Sequence, residues 1–323
     1  MANELKTLQE AIVYFSDPDR CREYFVARRW PEGVSCPRCG SVNVKFQPKH
    51  NRWQCSSHHA QRQFTCKTGT IFEESPISMD KWMLAMWMIC NCRNGVSSYE
   101  IHRAVNVTQK SAWFMLHRLR LALQGSGIVK LGGDDKTVEV DETFIGGKAR
   151  NMHRSRRRRV QIQNPENFGK TIVMGILERG GRVKTKVIAN RKAESLRPVI
   201  MENVEPFTTL HSDEWLGYQS VREDYDHQVI NHLEKYVDGN VHTNGIENFW
   251  SLFKRSLSGT YVAVEPFHLF RYADEQAFRF NHRKDENGNK LSDGDRFSIA
   301  LSHVAGKRLT FAEVTGKVGE TSF

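Results

Sequence analysis

No stretch of this chain approaches the roughly 18 apolar residues that a membrane-spanning helix needs. The start, MANELKTLQEAIVYFSDPDR, lacks the apolar core of a signal peptide. Membrane insertion and secretion are therefore disfavoured, and a soluble, cytoplasmic protein is expected. A disulfide framework is missing as well. Seven cysteines in 323 residues, an odd number unevenly spread, suit metal ligation and buried thiols in a reducing compartment. Acidic residues are the minority charge: 47 Lys and Arg face 37 Asp and Glu, giving a net charge of +10 and a pI near 9.3. That balance points to a polyanionic partner, nucleic acid first.

The length suits one catalytic domain and one or two small modules. Residues 1–30 read as a helical leader, with Leu8, Ile12, Val13 and Phe15 before a break at Asp17-Pro18, then Tyr24, Phe25 and Trp30. Over residues 31–75 the composition shifts to Cys, His, Gly and basic residues, the footprint of a small metal-held module. Residues 76–126 return to helix. MDKWMLAMWMIC is followed by SSYEIHRAV, opened by the capping-box pattern Ser97-x-x-Glu100, and by QKSAWFMLHRLRLAL, opened by Thr108. The short Asn106-Val107 turn between the last two suggests helix-turn-helix.

Residues 133–305 mix strands and helices: TVEVDETFI, TIVMGIL, a tight turn at Arg179-Gly180-Gly181, VKTKVIA, a helix near 193–203, a strand ending LHSD, a short VIN strand, and helices over 244–257 and 266–283. Three consecutive strands followed by alternating helix and strand predict an α/β catalytic domain with a ribonuclease-H-like mixed sheet. Residues 306–323 are left as a C-terminal tail. The run HRSRRRR, with Arg154, Arg156, Arg157, Arg158 and Arg159, has no apolar period and reads as a mobile basic loop.

Cys36-Pro-Arg-Cys39-Gly is a knuckle in which two thiolates face one ion while Gly40 tolerates an unusual backbone. The second pair begins at Cys55. Its partner is His59 first, His58 next and Cys66 third, since RQFTCKTGT alternates like a strand and could bury Cys66. Such a site is tetrahedral and structural, with every position filled by protein. The helix from Gln109 offers Trp113, Phe114, Leu116 and Leu119 for packing, and Lys110, His117, Arg118 and Arg120 for DNA contact. A basic solvated face on a packed bundle explains the same pattern.

Asp141 sits inside a core strand, on the face of Glu139 and Thr143, where a carboxylate is costly without a cation or partner. Asp213 follows an apolar strand directly, at the carboxyl end where such sheets place ligand-binding groups. Glu247 lies on a helix whose apolar stripe is Ile246, Phe249, Trp250, Phe253 and Leu257, with Lys254 two turns further on. Each has a duller reading: a strand-end turn for Asp141, a helix cap for Asp213, a capping box for Asn244-x-x-Glu247. Together they match a two-metal phosphoryl-transfer site, in which carboxylates bridge two divalent ions about 3.5 to 4 Å apart. Oxygen ligands suit magnesium or manganese; thiolates suit zinc.

The stretches CPRCG, RQFTCKTGTIFEESPISMDKW, EVDETFIGGK, LHSDEWLGY, HTNGIENFWSLFKRSLSGTYV and FRYADEQAFRFNHR resemble the bacterial insertion-sequence DDE transposases, which carry a zinc ribbon and helix-turn-helix before a ribonuclease-H-like catalytic domain. The resemblance implies acidic ligands at Asp141 and Asp213, a third within Asn244 to Glu247, and an accompanying Lys254. Asn244 rivals Glu247 as that third ligand; Glu247 is preferred because a carboxylate binds magnesium better than an amide. It further implies metal-dependent DNA cleavage and strand transfer at the terminal inverted repeats of an element. Lys110, Arg118, Arg120 and the arginine run would hold DNA. A homodimer or larger assembly, associated with the nucleoid when bound, would bring two element ends to target DNA. A nuclease that cuts without joining and a non-catalytic DNA-binding regulator are the alternatives.

Overall fold

The computed structural model describes residues 5–125, 129–147, 151–163, 169–213, 216–230 and 242–317. The chain divides into two compact units. One combines residues up to Gln124 with those from Lys284 on; the other is Gly125–Arg283.

The first unit opens with α1 (Leu8–Phe15) and α2 (Pro18–Arg29). Thr7 and Glu10 close a capping box on α1, and Pro18 begins α2, where no backbone N–H is needed. Short strands β1 (Val44–Gln47), β2 (Arg52–Cys55) and β3 (Gln63–Phe64) pair antiparallel, with Trp30, Phe46 and Phe64 packed around Trp53. Next come α3 (Met79–Asn91), α4 (Ser98–Val105) and α5 (Gln109–Leu123). The expected Ser97/Glu100 capping box and Thr108 cap are both present, and Asn106 turns the chain with a left-handed φ of 48°.

In the second unit, β4 (Thr137–Ile145) precedes α6 (Arg154–Gln163). The basic run expected as a loop is thus helical: arginine is a good helix former, and nothing in RSRRRRVQIQ breaks a helix. β5 (Thr171–Glu178) turns through Gly180 into β6 (Val183–Ile188), and α7 (Ala193–Asn203) leads to β7 (Thr209–Asp213) and β8 (Asp226–Ile230). The sheet order is β6-β5-β4-β7-β8; β5 runs antiparallel to both β6 and β4, while β7 and β8 run parallel to β4. This is the mixed sheet of the expected α/β class. One face buries Val138, Val140 and Met174 against Leu196 and Ile200 of α7. The other buries Val173 and Leu177 against the apolar stripe of α8 (Asn244–Ser256) and against α9 (Leu269–Asn281).

The chain then returns to the first unit with α10 (Asp293–Ser302) and α11 (Phe311–Val314). Phe297 of α10 packs on Phe15, Tyr24 and Trp87. Phe311 packs on Phe114 of α5. Phe15 and Tyr24 of the opening helices are thus buried in the first unit, the α/β unit spans Gly125–Arg283 where 133–305 was expected, and α11 packs on α5. No helix among the described residues is long and apolar enough to cross a membrane.

Candidate active site and metal centre

Cys36 and Cys39 come from one tight turn, with Gly40 at φ +72°, while Cys55 ends β2 and His59 follows four residues later. Their ligand atoms all lie within 4.8 Å of one another. Cys36 Sγ is 3.6 Å from His59 Nε2, and Cys39 Sγ is 3.6 Å from Cys55 Sγ. Those separations suit ligands at the corners of a tetrahedron around an ion about 2.3 Å from each sulfur. His59 Nδ1 sits 2.7 Å from the Ala60 carbonyl, which fixes the tautomer that turns Nε2 toward the thiols. Of the rival ligands, His58 is exposed, and Cys66 is buried away from the cluster, its carbonyl accepting from Arg29.

The candidate acidic site draws on the middle of β4 and the carboxyl end of β7. β4 and β7 pair in parallel as far as Glu139 and His211, and Asp141 and Asp213 follow two residues past that last pair, near enough for the Asp213 charge to act on Asp141. Burial, followed by the charges of Glu142 and Asp213 and then Glu247, pushes the Asp141 carboxyl up to about 7. Asp141, Glu142, Thr143, Glu247, Trp250, Ser251 and Lys254 line a cleft of about 410 Å³. Glu247, Trp250, Ser251 and Lys254 follow helical spacing and give α8 one face toward that cleft. Asn244 is exposed and does not line it. The capping box expected from Asn244 and Glu247 does not form: Thr243 is the N-cap, and its hydroxyl donates to Glu247 Oε1 at 3.2 Å. Crowded oxygen donors of this kind fit a hard divalent cation. Among the described residues, however, it is the Cys/His group rather than the carboxylates that is gathered to single-ion size.

Two further side chains set the frame. Glu139 on β4, 1% exposed, accepts from the Ile246 amide at 2.9 Å and so satisfies one of the unpaired N–H groups that open α8. Its other oxygen is paired with Arg179 Nε at 2.8 Å, and Arg179 reaches on to His211 Nδ1 at 3.1 Å. Burial, then the charge of Arg179, lowers the pKa of His211, which favours a neutral ring beside the guanidinium. Glu142 turns to the opposite face, where it accepts from the Tyr218 hydroxyl and from Arg191 Nε. A second acid beside Asp141 in a core strand was the one sequence signal for Glu142. Glu139, though visible on the face of Asp141, carried no sign of its role, and Arg179 and Arg191 left none.

The family model for an ISXO2-like transposase domain matches residues 130–281, and that for a transposase zinc-ribbon domain matches residues 16–68. A transposase-like protein of Haemophilus influenzae is 30% identical over 102 residues, covering 31% of this chain and 82% of that protein. A protein in transposable element ISH50 of Halobacterium salinarum is 26% identical over 242 residues, covering 71% of this chain and 80% of that one. This chain belongs to the insertion-sequence transposases.

In this transposase the residues expected to touch DNA divide into two groups. Lys110 is exposed at the first turn of α5, over the Phe311 ring, and Arg157, Arg158 and Arg159 are exposed on α6. Arg156 lies within α6, with its side chain outside the described residues. Arg118 and Arg120 are buried, 7% and 1% exposed. Arg118 donates to the Leu309 and Glu73 carbonyls. It ties α5 to the returning chain, and both arginines, expected to face DNA, are covered by protein in this structure.

Proposed function

We propose that this transposase cuts DNA at the ends of its element and joins the freed 3′ ends to target DNA, using Asp141, Asp213 and Glu247 as the acids of its catalytic site. The observation that supports the reading is the parallel β4–β7 pairing, which ends two residues before Asp141 and Asp213, together with the cleft that Asp141 and Glu247 line. Divalent ions of the magnesium or manganese type, when bound there, would supply Lewis acidity to the attacking and leaving oxygens. Asp141 would bridge the site, and Glu247 rather than Asn244 would complete it. Lys254, about 10 Å along α8 from Glu247, would hold a phosphate next to the scissile bond. The exposed α6 arginines would grip the DNA backbone through salt-sensitive contacts. The Cys36, Cys39, Cys55 and His59 cluster would hold a structural zinc ion, and the helices around α4 and α5 would bind the terminal repeats through the opening turn of α5. Joining two ends requires two active sites, so the working form on DNA is a dimer or larger.

A strand-transfer assay with oligonucleotides bearing the element ends, in magnesium, tests this. Joined product is expected from the unaltered protein and none from Asp141→Asn, Asp213→Asn or Glu247→Gln. Cleavage without joining would make the protein a nuclease, and a mobility shift without chemistry a regulator.

A further inference from the structure

We infer that Arg191 is a positioning residue for Asp213: anchored on the buried Glu142, its guanidinium holds the Asp213 carboxylate in the orientation in which the catalytic site uses it. The inference rests on the proposed catalytic role of Asp213 and concerns only how that acid is presented.

Asp213 is the last residue of β7, with its side chain 32% exposed, so burial alone does not fix its rotamer. Arg191 is held on three sides. Its Nε donates to Glu142 at 2.9 Å, and the Glu142 side chain is fully inaccessible and also receives the Tyr218 hydroxyl. Its guanidinium lies 5.7 Å from the centre of the Phe144 ring. Its Nη2 reaches Asp213 Oδ2 at 3.5 Å. A solvent-exposed Arg–Asp pair is worth little, partly because both long side chains must be ordered to form it. Here the arginine is already ordered by Glu142, so its contact with Asp213 orients the acid without that cost. Glu142 alone pairs the charge of a purely structural arginine, while the Tyr218 hydroxyl holds the other Glu142 oxygen; the reach to Asp213 is the part that serves the site. The fork geometry is essential, since the Nε and Nη2 of one guanidinium address two carboxylates at once.

The test is manganese binding to the full-length, zinc-loaded chain by isothermal titration calorimetry, with thermal unfolding alongside. Arg191→Lys keeps the charge beside Glu142 and loses the fork. The double substitution Glu142→Gln with Arg191→Met removes a neutral pair, leaves no buried charge unpaired, and covers the case in which the lysine variant does not fold. Either variant, folded, is expected to bind manganese about three- to tenfold more weakly, the scale of one carboxylate's lost rotamer order. Unchanged or tighter binding with an intact fold would overturn the inference and leave the catalytic reading standing. Failure of the unaltered protein to bind any divalent ion at this site would overturn both.

Discussion

Gly175 lies directly across the β4–β5 ladder from Asp141, and the space its missing side chain leaves is filled by Trp250 and Ile246 of α8. A Cβ there would sit 2.6 Å from Trp250 Cζ2 and 2.7 Å from Ile246 Cδ1. The helix that presents Glu247 is thus seated against the strand next to Asp141 by an absent methyl group. Glu139 draws in the start of the same helix, and Gly245 is needed there too, because a Cβ would meet Glu139 Oε2 at 2.8 Å. Gly175→Ala is expected to cost about 1–3 kcal/mol through overpacking. Strand transfer should fall further than the loss of folded protein accounts for, because α8 must move outward with Glu247 and Lys254. Thermal unfolding and single-turnover kinetics on the same preparation separate the two; full activity per folded molecule would show that the site does not depend on this seat.

The arginines make opposite predictions according to burial. Replacing Arg157, Arg158 and Arg159 together by Ala should leave the melting temperature nearly unchanged, weaken DNA binding, and flatten its log–log salt dependence by about 0.9 for each phosphate that is no longer neutralised. Arg118→Ala should act mainly on the fold, since it strands the Leu309 and Glu73 carbonyls. A loss of roughly 1–3 kcal/mol is expected, with the salt slope unaltered. Fluorescence anisotropy across a salt series, with urea unfolding in parallel, checks both; a salt slope that changes for Arg118→Ala would restore it to the DNA interface.

What could be read in advance follows from the range of the interactions. Periodic segments and caps are local, so β4, α7, α8 and the Ser97 box are visible in a few residues each. Asp141 and Asp213 stand out because acids in apolar strands are costly wherever they occur. The Arg118 contact with Leu309 spans 191 positions and leaves no mark near either residue. A basic helix covered by a distant segment looks, in sequence, like a basic helix open to DNA. The same holds for Arg191, whose two carboxylate partners are 49 and 22 positions away. The fourth ligand of the ribbon was ambiguous for the opposite reason: His58 and His59 are adjacent, and only the turn after β2 decides which ring faces the thiols.

That choice is testable by metal content. The unaltered chain should carry one tightly held zinc per molecule, and its removal with a strong chelator should melt the ribbon, because a site with four protein ligands contributes directly to folding. His59→Ala should lose zinc, whereas His58→Ala and Cys66→Ser should retain it. Stability distinguishes Cys66→Ser as well: a hydroxyl at a site 7% exposed is expected to lower the melting point with zinc still bound. Elemental analysis of each purified variant, with circular dichroism, decides the point; a zinc-free Cys66→Ser would move the fourth ligand there.

His227 links stability to pH through the strand beside Asp213. Its Nε2 is 2.7 Å from the Ser212 hydroxyl, and burial, followed by the charges of Arg222 and His211, lowers its pKa from 6.5 to about 4. The unfolded chain therefore takes up a proton at this ring near pH 6.5 while the folded chain refuses it until about pH 4. Between those values the unfolded state binds more protons, so stability falls as the pH is lowered and is fully present only above about 6.5. The contribution is at most about 3 kcal/mol. His227→Gln keeps a polar partner for Ser212 and cannot titrate, so its stability should vary less with pH across this window even if it is lower throughout. Urea unfolding of the two proteins at intervals from pH 4 to 8 measures the difference. Parallel curves would mean that the acid sensitivity of the fold comes from groups other than this histidine, and that protonating it does not disturb the β7–β8 edge on which Asp213 stands.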